Sequence, residues 1–190
     1  MSPFDVAPYQ LARRVGDVLD TLGVPWAVGG SLASSVYGMP RSTADVDLVA
    51  AFGRDNIDEA VRRFEPMGYV DRDVARAAVR AGRSFNLIDD ETIQKVDLFC
   101  VHGESVGQIE RSRRVEVSPG LVLPMQCPED TVVQKLRWYE LGGRVSDRQL
   151  RDVVDVLQVQ GPALDGKVLQ DLAHRVGVAE LLRQLLDARR

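Results

Sequence analysis

An α/β (α+β) fold, a mixed β-sheet flanked by helices with a C-terminal helical bundle, is predicted by two patterns in the sequence and by its size. Up to about residue 125, short apolar runs punctuated by glycine and proline alternate with amphipathic segments, and beyond Pro124 only helical spacing remains. The chain has 190 residues, 45% hydrophobic and 27% charged, enough for one globular domain with a modest appendage. Residues 1–125 are expected to form the sheet-bearing core and residues 126–190 a helical region packed on it.

Leu11, Val15, Val18, Leu19 and Leu22 recur at helical spacing until Gly23 and Pro25 stop the pattern, so a helix precedes the first strand. Residues 25–28 form a short strand running into Gly29, Gly30 and Ser31, and a short helix follows over 32–37. Residues 45–51 alternate acid and apolar positions as a strand does, and 57–64 make an amphipathic helix. Strands over 84–88 and 95–100 flank a turn at Asp89, Asp90 and Glu91, and strands over 115–117 and 121–123 flank Pro119-Gly120. The C-terminal helices are expected at 129–141, 147–159, 166–176 and 179–188. Pro128, Glu129 and Asp130 suit the start of the first, and Ser146 with Gln149 forms a capping box for the second.

The formal net charge of −4 gives no bulk attraction for a polyanion, so a nucleic-acid partner would have to be met locally. Lys95, Lys135 and Lys167 are the only lysines, the other 21 basic residues being arginine. Cys100 and Cys127 lack the spacing of a disulfide framework or a zinc site. The stretch MSPFDVAPYQLARR has no basic head with an apolar core behind it, and no apolar run approaches the 18 or so residues that cross a bilayer. The expectation is a soluble cytoplasmic protein without a membrane partner. Arg72, Arg76, Arg80 and Arg83 fall on one helical stripe, which would suit either a solvated face or a phosphate backbone. His102 and His174 are isolated and receive no role.

Alternate side chains of a strand share a face, so Asp45 and Asp47 point together, about 6–7 Å apart at their bases, while Val46 and Leu48 enter the core. Asp97 sits likewise between Val96 and Leu98. If the two strands pair, three carboxylates converge. Like charges about 4 Å apart repel by about 4 kcal/mol at an effective dielectric near 20, so such a set needs a cation, and oxygen-only ligands favour Mg2+ or Mn2+. Upstream, the amides of Gly29, Gly30 and Ser31 at a helix start suit phosphate oxygens. Turn-capping aspartates and a plain tight turn are the alternative reading of these residues.

The segment VGGSLASSVYGMPRSTADVDLVA resembles the signature of the DNA polymerase β-type nucleotidyltransferase superfamily, glycine-glycine-serine followed by a strand bearing DxD, and KVDLF supplies a third acid. Within that superfamily, the arginine-serine-threonine step at Arg41 and the run containing Lys135-Leu136 and Arg151-Asp152-Val153-Val154-Asp155 are similar to the AbiEii-like, abortive-infection and toxin-type enzymes. The resemblance implies a nucleotidyltransferase-type sheet and transfer of a nucleoside monophosphate from a nucleoside triphosphate to an acceptor, with loss of pyrophosphate. It implies metal binding by Asp45, Asp47 and Asp97, the last also orienting or deprotonating the acceptor hydroxyl. Triphosphate binding would fall to Gly29, Gly30, Ser31, Arg41 and Lys135, with Lys135 and Asp152 among the catalytic residues. Asp152 lies opposite an apolar stripe, hence toward solvent or a cleft. The acceptor implied is RNA, such as a tRNA end, in a toxin paired with an antitoxin. The alternatives are a small-molecule (antibiotic) nucleotidyltransferase and a catalytically inactive nucleotide- or partner-binding module of the same fold.

Overall fold

The computed structural model describes residues 6–188. The first five residues, part of the stretch read for a leader, and the last two, at the end of the expected helical region, lie outside the described residues. Two compact units result, one of residues up to Leu32 with Ser42–Gln126, the other of Ala33–Arg41 with the chain from Cys127 onward. The segment Ala33–Arg41 therefore groups with the C-terminal helices, a feature that a single boundary near 125 does not contain.

The first unit opens with α1 (Ala7–Thr21), which buries Leu11, Val15 and Leu19 and stops where Gly23 takes a positive φ of 64°. Then come β1 (Trp26–Val28), the start of α2 (Gly30–Tyr37), β2 (Val46–Ala50), α3 (Ile57–Phe64), β3 (Gly68–Val70), α4 (Arg72–Ala81), β4 (Ser84–Asp89) and β5 (Lys95–Cys100). A 3-10 turn at Gly103–Val106, α5 (Gly107–Glu110), β6 (Arg113–Ser118) and β7 (Leu121–Met125) complete it. The helix expected over 32–37 begins two residues earlier, and Asp45 lies just before β2 instead of within it. Arg83 falls beyond Gly82, the left-handed cap of α4, and so leaves the helical arginine stripe.

The seven strands form one mixed sheet in the order β3-β4-β5-β2-β1-β7-β6. The β2–β5 and β1–β7 pairs are parallel and the rest antiparallel. Val46, Leu48, Ala50, Val96 and Leu98 are fully buried on one face. Cover comes from α1 against β2 and α4 against β4, with α3 touching both helices. On the opposite face, Ala27, Val49, Val101 and Ile109 make a small apolar cluster with Phe99 and Val106, so the segment from Gly103 to Glu110 lids only that end of the central strands. The other end carries the polar residues. At the margins of the sheet, β3 is three residues long, and β6 is charged at Arg113, Arg114 and Glu116 with a register shift between Glu116 and Ser118.

The second unit contains α6 (Pro128–Leu141), α7 (Asp147–Gln160), α8 (Gly166–Val176) and α9 (Ala179–Asp187). Here α6 packs on α7 and α8, and α8 on α9, around Val132, Val133, Leu136, Val153, Val156, Leu157 and Leu169. Ser146 Oγ accepts from the Gln149 amide at 3.4 Å, giving half of the expected capping box. Glu129 and Asp130, expected to serve the helix start electrostatically, are buried, and Glu129 Oε1 accepts from the Asp165 amide at 2.9 Å. Cys100 and Cys127 are buried and free, and burial pushes both thiols up to about 12. Among the described residues no helix is long and apolar enough to cross a membrane.

Leu98 is fully buried beneath the polar end of β5. Leu98→Ala should therefore cost about 2–5 kcal/mol of unfolding free energy by chemical denaturation, the range for a leucine deleted from a packed core.

Candidate active site

The apolar alternation of β2 and β5 locks their register, because a slip of one residue would expose Val46, Leu48, Val96 and Leu98 together. In that register Asp47 is the Cα partner of Asp97, and Asp97 in turn is the partner of Asn86 on β4. Three polar residues thus stand level across neighbouring strands. Lys95 precedes Val96 as Asp45 precedes Val46, and its Nζ lies 2.8 Å from Asp97 Oδ2. The Asp97 carboxylate, helped by the charges of Asp45 and Asp47, holds the Lys95 ammonium above its ordinary pKa. The sequence reading gives Asn86 and Lys95 no role, yet alternation along 84–88 and 95–100 places both on the face of Asp97.

The glycine turn meets this face directly. Gly29 N–H donates to the Asp47 carbonyl at 2.9 Å, and Gly30, with φ of 54°, opens α2. A Cβ on Gly30 would fall 1.8 Å from Asp47 Oδ2, so only glycine permits the carboxylate to lie over the helix start. Ser31 follows, half-buried in the first turn. The N-terminal amides of a helix and an acid that can carry a cation are adjacent, the pairing that a triphosphate–metal complex requires.

The convergence of three carboxylates expected from spacing is not assembled. Among the described residues no three His, Cys, Asp or Glu side chains form a ready metal-ligand group. The reasons are local, since Asp45 stands outside the strand and Asp97 is bonded to Lys95. The donor chemistry still fits a hard divalent ion, because magnesium is held by one or two carboxylates with substrate phosphates and water supplying the rest.

Arg41, Lys135 and Asp152 lie in the second unit and form a separate cluster. Asp152 accepts from Arg41 Nε at 2.9 Å and Arg41 Nη2 at 2.8 Å, from Lys135 Nζ at 2.5 Å and from Ser34 Oγ at 3.2 Å. Lys135 and Asp152 are each only 5% exposed, so of the two placements open to Asp152, solvent or a cleft, solvent is not the one found. Their burial is tolerated because each charge has an opposite one within hydrogen-bond reach. Burial pushes the Asp152 carboxyl up, but the hydrogen bonds and charges of Arg41 and Lys135 outweigh it and hold the carboxyl below its ordinary value.

The arginine stripe is neutralised at its start. Arg72 pairs with Glu65 at 2.8 Å, and Arg76 pairs with Asp58 through Nε at 2.6 Å and Nη2 at 3.0 Å. His102 Nε2 lies 2.6 Å from the Val79 carbonyl, a local structural bond.

No protein-family model and no curated protein sequence matches the chain. Solved structures do. The antibiotic-resistance factor ANT(2'')-Ia superposes with a TM-score of 0.62 at 15% identity, covering 95% of this chain and 98% of that one. An antigenic nucleotidyltransferase-like protein from Paracoccidioides brasiliensis gives 0.53 at 18% identity over 95% and 92% of the two chains. The chain has the nucleotidyltransferase fold. A third structure with that fold, the lincomycin-bound lincosamide antibiotic adenylyltransferase LnuA, gives 0.53 at 11% identity over 78% of this chain and 95% of its own. On the nucleotidyltransferase sheet described here, the glycine turn and Asp47 occupy the polar end of the central parallel pair.

Two consequences can be measured. Gly30→Ala should lower stability by about 1–2 kcal/mol through the left-handed backbone alone, with a further loss as the Asp47 carboxylate is displaced, both visible in urea unfolding. For Asp152, the depressed folded pKa means its stabilisation is complete above the unfolded carboxyl value of about 3.9 and is lost as pH falls through the lower folded value. Wild-type protein should thus exceed Asp152→Asn in stability at neutral pH, with the gap closing in denaturation curves recorded at progressively lower pH below about 4.

Proposed function

We propose that the protein is a metal-dependent nucleotidyltransferase that moves a nucleoside monophosphate from a nucleoside triphosphate to the hydroxyl of a small-molecule acceptor. The observation that carries this reading is the placement of Asp47 opposite Asp97 with its carboxylate over Gly30 at the start of α2. Amides of the Gly29-Gly30-Ser31 turn would bind phosphate oxygens, and Asp45, Asp47 and Asp97 would hold Mg2+ or Mn2+. A divalent ion there supplies charge neutralisation and alignment for in-line displacement at phosphorus. The acceptor oxygen forms the new bond to the α-phosphorus, the bond to the β-phosphate oxygen breaks, and pyrophosphate leaves. Asp97 would orient or deprotonate the attacking hydroxyl. A cytoplasmic setting would supply the triphosphate.

A small acceptor is favoured over a polyanion by the net charge of −4 and by the acids that pair Arg72 and Arg76. The antibiotic-resistance factor ANT(2'')-Ia and the lincosamide antibiotic adenylyltransferase LnuA, which share the fold, support the same choice. A specific observation favours the AbiEii-like reading as the second one. Arg41, Lys135 and Asp152, the residues that carry that resemblance, meet in one bonded cluster. In that reading the acceptor is RNA and the partner an antitoxin.

Purified protein with Mg2+ and each α-labelled nucleoside triphosphate, offered aminoglycosides, lincosamides and total RNA in separate reactions, tests the proposal. Label on a small molecule is expected, label on RNA selects the AbiEii-like reading, and no transfer with any nucleotide refutes both. Asp47→Asn should reduce transfer by at least about a hundredfold, the loss typical when a group that stabilises transition-state charge is removed.

A further inference from the structure

The ion pair between Lys95 and Asp97 has no part in the chemistry above and stands where that chemistry needs an open carboxylate. Lys95 lies two residues before Asp97 on the same face of β5, and its Nζ sits 2.8 Å from Asp97 Oδ2. The Asp97 side chain is 16% exposed and that of Lys95 is 44% exposed. The acid is thus fixed in the sheet, while the ammonium reaches it from a flexible stem with an open path back to water. An ammonium is a compact, strongly hydrated point charge on four rotatable carbons. A partly exposed pair of this kind gives little net stability, so releasing it costs little.

The surroundings make the ammonium a stand-in cation. Asp45, Asp47 and Asp97 bring three negative charges to one end of two parallel strands, and Lys95 returns one positive charge to them. A guanidinium would bind a carboxylate through a planar fork and resist displacement, whereas lysine offers a single mobile contact. This position carries one of only three lysines in a chain whose other basic residues are arginine.

We propose that Lys95 is an internal counter-ion that occupies Asp97 and competes with a divalent cation for it, so that Asp97 joins the metal-binding set only when Lys95 swings away. The inference rests on the nucleotidyltransferase reading of the acids. It assigns Lys95 the role of a positioning residue that sets how tightly, and in what stoichiometry, the acids take up metal before any nucleotide arrives.

Binding of Mn2+ alone, read from the free-ion electron paramagnetic resonance signal of the full chain without nucleotide, tests it independently of activity. Lys95→Met keeps the stem and removes the charge, and should bind Mn2+ about tenfold more tightly than wild type. Lys95→Arg, which keeps the charge, should bind no more tightly than wild type. Adding Asp47→Asn to Lys95→Met should abolish the gain, which ties it to these acids. If Lys95→Met binds Mn2+ no more tightly than wild type while wild type binds the ion, the inference falls and the metal site stands. If the gain survives Asp47→Asn, the ion is held elsewhere and the inference falls as well. If neither protein binds Mn2+ without nucleotide, the inference fails, whereas the metal-dependent reading, in which substrate phosphates complete the coordination, is judged by the transfer assay. Thermal melts of each variant check folding, and Lys95→Gln serves as the neutral variant if Lys95→Met does not fold.

Discussion

Parallel pairing of β2 with β5 is the constraint from which the candidate site follows. Buried Val46, Leu48 and Ala50 on one strand and Val96 and Leu98 on the other leave a single register, and that register sets Asp47 beside Asp97. The core thus forces two acids together that would otherwise separate. The molecule answers with an ammonium on one acid and a side-chain-free glycine beneath the other. Both answers leave the anionic character of this end of the sheet in place, which is what a cation-bound polyphosphate would use.

The helical unit handles charge differently. Asp152 is buried with two cationic partners and a hydroxyl, and such an arrangement is costly to assemble because every member must be stripped of water. Its benefit is geometric. Arg41 grips the carboxylate through two nitrogens, which fixes the end of the Ala33–Arg41 segment against α7, while Lys135 ties α6 to the same point.

Much of this was legible in the sequence, for identifiable reasons. Strands with clean alternation, such as the one predicted over 95–100 and the one predicted over 84–88, which runs one residue further to Asp89, and helices with well-marked ends, such as Ile57–Phe64 and Gly166–Val176, appear where their patterns place them. The strand β3 was not legible because its three residues are too few to display a period and, unlike those of β1, run into no glycine-glycine-serine turn, and α5 because four residues are too few for a helical period. The pairing of Asp47 with Asp97 could be stated only conditionally, since sequence shows faces but not neighbours. Burial of Lys135 and Asp152 was hidden for the same reason: partners 17 and 111 residues apart in the chain compensate charges whose burial helical position alone does not reveal. Lys95 was visible, but its relation to Asp97 depends on a side-chain reach that spacing does not specify.

The two margins of the sheet bear on how copies of this protein behave together. An open row of backbone donors and acceptors invites another strand to dock, and sheets guard against this with brevity, charge or a bulge. Here β3 offers only three residues at one margin, while β6 presents Arg113, Arg114 and Glu116 and breaks its ladder between Glu116 and Ser118 at the other. A mixed sheet of seven strands is thereby closed to extension at both ends, which protects a concentrated solution of the protein from strand-mediated self-association.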